Sequence, residues 1–100
     1  MKKLAVRPQA LLDLEESASY YEGEQAGLGD RFSDVVETAF IKIRETPGIG
    51  SKRYVALVPG LHMHVLATFP FLIFYLEHID HIEVVRLIHA KRDLPHELRE

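Results

Sequence analysis

Two dense apolar runs, Phe71–Leu76 and Ile82–Ile88, flank a short polar connection in the C-terminal half of this 100-residue chain. Each is rich in Val, Ile, Phe and Tyr, long enough for a strand and too short for an ordinary helix. Apolar residues fall on both alternating faces of each run. A half-exposed strand would not show this, so both runs read as central strands of a sheet covered at least partly on two sides. This hairpin is the floor of the fold, and the rest of the chain must supply its cover. The second run leads directly into His89, Lys91 and Arg92, which places a cationic cluster at the hairpin's exit, expected at or near the working surface.

Upstream, Lys3–Val6 predicts a short strand at or near a sheet edge. Pro8 suits the first turn of a helix, where its missing N–H is no loss. Leu11, Leu14, Ala18 and Tyr21 then recur at helical spacing, with Asp13, Glu15, Glu16, Glu22 and Glu24 mostly off that line. This helix is expected to end around Glu24 to Gly27. Asp30 is the expected cap of a second helix, whose Phe32, Val36, Ala39, Phe40 and Ile43 share one face. Thr46-Pro47-Gly48 closes it, since proline disfavours helix at the residue before it. Two helices on a short connection make an antiparallel hairpin. Tyr54–Val58 is expected to be extended, interrupted by Pro59-Gly60, and Leu61–Leu66 resumes as a strand. Thr68-Phe69-Pro70 is a turn, Phe71–Leu76 and Ile82–His89 are the last two strands, and Asp93 caps a terminal turn over Leu94–Leu98. The order is that of an α+β domain, β-α-α-β-β-β, with the helical hairpin on one side of a mainly antiparallel sheet.

Length makes residues 1–100 one domain, and 47% hydrophobic with 27% charged residues is an ordinary globular balance. The absence of cysteine excludes a disulfide framework and thiolate metal sites and fits a reducing cytosol. A net charge of −3 argues against a generic nucleic-acid binder. Residues 1–50 carry nine acids against six bases, whereas residues 51–100 carry six of each and all six histidines. Any anion-facing surface therefore belongs to the second half. No stretch approaches the ~18–20 apolar residues of a membrane span, and no cofactor or metal is called for.

Several stretches, taken in order, resemble the ParE branch of the RelE/ParE toxins of bacterial toxin–antitoxin pairs, also called plasmid stabilisation proteins. They are Ala10-x-x-Asp13-Leu14-Glu15-Glu16 with Tyr20-Tyr21, the Phe-rich second helix closed by Thr46-Pro47-Gly48-Ile49-Gly50, and Val58-Pro59-Gly60-Leu61. Leu72-Ile73-Phe74-Tyr75, Glu83-Val84-Val85-Arg86 and His89-Ala90-Lys91-Arg92-Asp93 complete the set. The resemblance implies a growth-inhibiting cytoplasmic toxin and a cognate antitoxin that wraps and neutralises it in a hetero-oligomer. RelE-like members cleave mRNA in the ribosomal A site, whereas ParE-like members poison DNA gyrase.

For RNA cleavage, His89 would be the acid or base, with Arg86, Lys91 and Arg92 stabilising the developing charge. No aromatic follows Tyr75, and the basic residues are few for neutralising several phosphates. The gyrase reading assigns target contact to Arg86, His89, Lys91 and Arg92 and no catalytic residue. It expects antitoxin contact at Leu11, Leu14, Tyr21 and Phe32, and no sequence-specific nucleic-acid binding. A third reading is a non-toxic module that only binds an antitoxin. Arg86, a charge inside an apolar strand, needs a partner either way, from a helix acid or from Glu77 or Glu83. Its replacement by alanine is expected to weaken toxicity and leave the fold intact. Tyr20 and Tyr21 are expected to pack. His62 and His64 stand where the ParE pattern often has arginines and share one face of their strand. They are expected to be half-exposed, neutral at pH 7 and more cationic below pH ~6.5, and as two ligands alone they are weak evidence for a metal.

Overall fold

Residues 1–98 are described by the structure, a computed structural model. The strands are β1 (Lys3–Val6), β2 (Leu61–Val65), β3 (Phe71–Glu77) and β4 (His81–His89); the helices are α1 (Pro8–Glu24), α2 (Leu28–Glu45) and α3 (Leu94–Leu98). The sheet runs in the order β1-β4-β3-β2. β2, β3 and β4 form antiparallel neighbours, and the edge strand β1 lies parallel to β4, with Lys3 opposite His81 and Val6 opposite Val84. The order β-α-α-β-β-β and the edge position of the first strand are as the residue pattern predicts.

The central strands are covered on both faces, as their composition requires. On one face Phe71, Ile73 and Tyr75 of β3 and Ile82, Val84 and Leu87 of β4 meet Ala10 of α1 and Phe32, Val36, Ala39 and Ile43 of α2. On the other, Leu72, Phe74, Val85 and Ile88 pack with Leu61 and Met63 of β2 and with Leu94 and Leu98 of α3. The register slips between Phe74, opposite Arg86, and Tyr75, opposite Val84. Val85 is left without a partner across the bulge, and the alternation breaks there: Val84 and Leu87, three residues apart, share one face, and Val85 and Ile88 share the other. The helical hairpin thus covers one face, and the terminal helix crosses to the other.

Two local expectations give way. Asp30 does not cap α2. The helix begins three residues earlier than that cap would place it, after Gly27 at φ 87°, a left-handed conformation that glycine adopts without a Cβ clash. Glycine has no side chain to cap with, and Glu22 near the end of α1 fills that role: its carboxylate accepts the N–H groups of Gly27, at 2.9 and 3.1 Å, and Gly29, at 3.0 Å. A carboxylate at a helix N-terminus is also favoured by the helix dipole. Nor is Tyr54–Val58 extended. It closes on itself through Val55 N–H to the Lys52 carbonyl and Leu57 and Val58 N–H to the Tyr54 carbonyl. Tyr54 and Val58 fit an extended strand or a turn equally well by spacing. A strand needs a free edge, and Ser51 already exchanges two 2.8 Å backbone bonds with Met63 on the edge of β2. Asp93, by contrast, does reach into the first turn of α3, its Oδ1 accepting the His96 N–H at 3.4 Å.

The two long helices touch closely at Gly29, where an added Cβ would sit 2.5 Å from the backbone carbonyl oxygen of Ala18. Gly29→Ala is therefore expected to destabilise the protein by about 1–3 kcal/mol through overpacking. Gly23→Ala, with nothing within 4 Å of the added atom, is expected to be stabilising by up to about 1 kcal/mol, the helix-propensity difference. Urea unfolding of the two variants checks the contrast.

Candidate functional site

The parallel pairing of β1 with β4 ends at Val6 and Val84, and the Arg7 N–H reaches back to the Val84 carbonyl before α1 begins. Past that point β4 has lost its strand neighbour, and the first turns of α1 run alongside it. The helix stripe there is Ala10, Asp13, Leu14, Ser17, Ala18 and Tyr21, so Asp13 faces inward and is buried. Its Oδ2 accepts the Leu87 N–H at 3.1 Å, satisfying a backbone donor that β1 no longer reaches. The same carboxylate accepts Arg86 Nε at 2.7 Å and Nη2 at 3.1 Å, a bidentate pair, and Gln9 Nε2 at 3.1 Å.

Arg86 continues from Asp13 to α3. Its Nη1 donates to the Glu97 carbonyl oxygen at 3.1 Å and its Nη2 to Glu97 Oε1 at 3.2 Å. Hydrogen bonding to Asp13 is the main reason its guanidinium is held even more firmly protonated than usual. Glu97 also accepts Arg92 Nη1 at 3.1 Å. One chain of charges thus joins α1, β4 and α3. The partner of Arg86 is the helix acid Asp13 with Glu97, while Glu77 pairs with Lys2 and Glu83 with Arg7 and His78.

Above this chain lies a cleft of about 320 Å³, bounded by Asp13, Glu16, Ser17 and Tyr20 of α1, Phe71, Arg86 to His89 of β4, Arg92 and Glu97. His89 sits on its rim, its ring edge-on to Phe71 at 5.1 Å. The Lys91 N–H donates to His89 Nδ1 at 3.0 Å, so Nε2 carries the proton of the neutral ring. The cleft brings Arg86, His89 and Arg92 together as the sequence suggested; Lys91 is exposed outside it. Asp13, Glu16, Ser17, Tyr20 and Glu97 were missed. The residue pattern sets Asp13 off the apolar line and takes Leu11 into it; the structure reverses the two, turning Leu11 outward and burying Asp13 against Arg86, the charge in an apolar strand that demanded a partner.

Four of five guanidinium hydrogens of Arg86 point at Asp13 and Glu97, so no fork remains for a phosphate. Asp13, Glu16 and Glu97 against Arg86 and Arg92 give the cleft a net charge of −1 with His89 neutral. Such a lining offers a phosphodiester no net positive charge.

On the helices, Phe32 is fully buried beside Tyr21, Phe69 and Phe71, with ring centroids 5.0–5.1 Å away. It is core and presents no contact surface, contrary to its expected role with the antitoxin. Leu14 and Tyr21 are half-buried against the same core, and Leu11 is exposed. Tyr20, expected to pack, is 64% exposed, and Leu12 on the same helix is exposed as well. Half-buried His62 stacks on Tyr75 at 5.1 Å, with a buried Nδ1 that has no partner among the described residues. Half-buried His64 faces a groove with Lys42 and Arg31. Burial, and then the Lys42 charge, pull its pKa below the ordinary value, so it gains charge later on acidification than the residue pattern suggested. Among the described residues no three His, Cys, Asp or Glu side chains are grouped to hold a metal, and no helix is long and apolar enough to cross a membrane.

Arg86 and Asp13 side chains are only 14% and 9% exposed, and removing Arg86 leaves the buried Asp13 carboxylate without a cation. Arg86→Ala is expected to cost about 3–5 kcal/mol in urea unfolding; Arg92→Ala, at the 65% exposed end, is expected to cost at most about 1 kcal/mol. His64 makes stability pH-dependent. Its folded pKa lies below the unfolded value of 6.5, so on acidification the unfolded chain takes up the proton first. Stability is expected to fall from pH 6.5 down to the folded pKa, and His64→Gln should remove that part of the slope between pH 7 and 5.

The family described as "ParE toxin of type II toxin-antitoxin system, parDE" matches residues 4–94. Among curated proteins there is no match. A solved structure titled "Chromosomal ParDE TA system from P. aeruginosa" is similar with a TM-score of 0.67 at 18% identity, over 91% of this chain and 98% of that one. At that identity the likeness speaks for the fold, and the fold agrees with the family match. With nine-tenths of its length matched, its α+β order reproduced and its helical hairpin in place, the chain belongs to the ParE toxin family of type II toxin–antitoxin systems.

Proposed function

We propose that this ParE-family chain inhibits DNA gyrase in the cytoplasm by protein–protein binding and is neutralised by a cognate antitoxin. The observation that carries this reading is the commitment of Arg86 to Asp13 and Glu97. A group tied into the fold cannot stabilise a developing phosphorane, and a cleft of net charge −1 does not gather RNA. What the exit of β4 does offer is a rim of His89, Lys91 and Arg92, with polar groups held by a rigid base. Arg86 positions this rim and does not itself touch the target. Antitoxin contact is assigned to the outer side of α1, where Leu11, Leu12 and Tyr20 are exposed on the same helix as the exposed Glu15 and Glu16, together with half-buried Leu14 and Tyr21.

One feature favours the RelE-like alternative. Arg86, His89 and Arg92 do converge on a single cleft. Induction in a host lacking the antitoxin separates the readings. Filamentation, with loss of supercoiling by purified gyrase, is the expected result. Rapid arrest of translation with A-site mRNA cuts would sink the gyrase reading, and no growth effect would leave an antitoxin-binding module. Lys91→Ala with Arg92→Ala is expected to weaken gyrase inhibition by roughly tenfold through the lost rim charges, with the urea midpoint nearly unchanged. Undiminished inhibition by that folded variant would remove the rim from the mechanism.

A further inference from the structure

The segment between α2 and β2 is a second exposed surface, remote in sequence from the β4 exit and not used by the function proposed above. It is firmly built. The Tyr75 hydroxyl donates to the Pro47 carbonyl at 2.6 Å and accepts the Gly50 N–H at 3.0 Å. Ser51 is bridged twice to Met63, and the turn over Lys52–Val58 is closed by its own backbone bonds. Tyr54 and Val58 anchor it in the second core, Tyr54 against the Phe74 ring at 5.9 Å.

Despite this anchoring, the loop displays apolar side chains outward. Ile49 is 52% exposed, Val55 40% and Leu57 41%. Among them stand Lys52 and Arg53, both exposed. Lys2, Arg7, Arg86 and Arg92 are each paired with a carboxylate, whereas neither loop cation has one within 4.0 Å among the described residues. Arg53 lies 5.8 Å from the centre of the Tyr54 ring. Strand addition is not what this side of the molecule offers, because Ser51 occupies the middle of the β2 edge. A partner approaching here meets the loop.

We propose that Ile49–Leu57 is a preformed docking surface for a partner protein that presents an amphipathic helix with apolar side chains flanked by carboxylates. Charge complementarity selects that occupant. Two unpaired cations beside apolar groups reject a basic segment and favour an acidic one, which desolvates its apolar face on Val55 and Leu57 while its rim acids meet Lys52 and Arg53. Two loops from two copies would set these cations against each other. A loop already held in shape loses little conformational freedom on binding. The proposal is independent of which enzyme the chain poisons.

The test uses the full chain and two fluorescent synthetic amphipathic helices of the same length, one Glu/Leu and one Lys/Leu, followed by anisotropy. The Glu/Leu peptide is expected to bind, more weakly as salt rises, and the Lys/Leu peptide at least about tenfold less tightly. Lys52→Glu with Arg53→Glu should lower Glu/Leu affinity by about tenfold or more, and Val55→Ser with Leu57→Ser should do the same. Both variants alter exposed positions, and circular dichroism and urea midpoints establish that they fold. Glu/Leu binding that persists in both folded variants would overturn the proposal, as would equal binding of the two peptides. Preferential binding of anionic vesicles over the Glu/Leu peptide would make the loop a membrane contact. Self-association abolished by Lys52→Glu with Arg53→Glu, seen by sedimentation without peptide, would make it an interface with the acidic outer side of α1 in a second copy.

Discussion

The Asp13 carboxylate is the interaction on which the arrangement of elements depends. It takes the Leu87 N–H where β1 stops covering β4, and it holds Arg86 through two bonds. Without it, β4 would have an unpaired backbone donor facing the helices and a guanidinium left with Glu97 as its one carboxylate among the described residues. Through Arg86 the same carboxylate is linked to Glu97 and so to α3. Helix hairpin, central strand and terminal helix are therefore registered by one buried chain of charges. Such a pair contributes little net stability relative to an apolar replacement of equal shape, yet breaking it is costly. Here it serves to dictate which turn of α1 lies beside β4.

A two-sided sheet in a chain this short needs cover from unequal sources. The amphipathic hairpin of α1 and α2 supplies one side, centred on Phe32 and its aromatic neighbours. The other side receives only short pieces, the five residues of α3 and the turn carrying Tyr54 and Val58. Short pieces bury few apolar groups each and cannot hold their own position by area alone. Their places are set by polar ties, Glu97 to Arg86 for the helix and Ser51 to Met63 for the turn. The thinly covered side exposes Ile49, Val55 and Leu57 beside Lys52 and Arg53, and the helices of the other side expose Leu11, Leu12, Tyr20 and Ile41 among their charges.

Much of the fold was legible from periodicity alone. The β3–β4 pair, the Phe32–Ile43 stripe of α2, the edge strand and the turns around Pro47 and Pro70 follow from spacing and from what proline permits. The misreadings share a cause. Asp30 is a good cap by type, but Gly27 and Glu22 made a better one from across the interhelical turn. Tyr54–Val58 alternates well enough for a strand, but the edge it would join was already used. Phe32 looked available because it belongs to an apolar face, and every apolar face was needed inside. At the site, His89 and Arg92 were readable as a cluster, whereas Glu16, Ser17 and Tyr20 arrive from more than sixty residues away and leave no local signal.

By itself the sequence determined the kinds of element, their order, the need for cover on both faces of the central hairpin, and the family whose ordered motifs it carries. It did so because hydrophobic period and turn chemistry act over a few residues and need no knowledge of neighbours. Only the tertiary structure decided what the charges do. Whether Arg86 is a tool or a strut depends on whether its N–H groups are spent, and they are spent on an aspartate 73 residues away. An ion pair is a matter of distance and burial, and those are settled only when the helix packs on the strand.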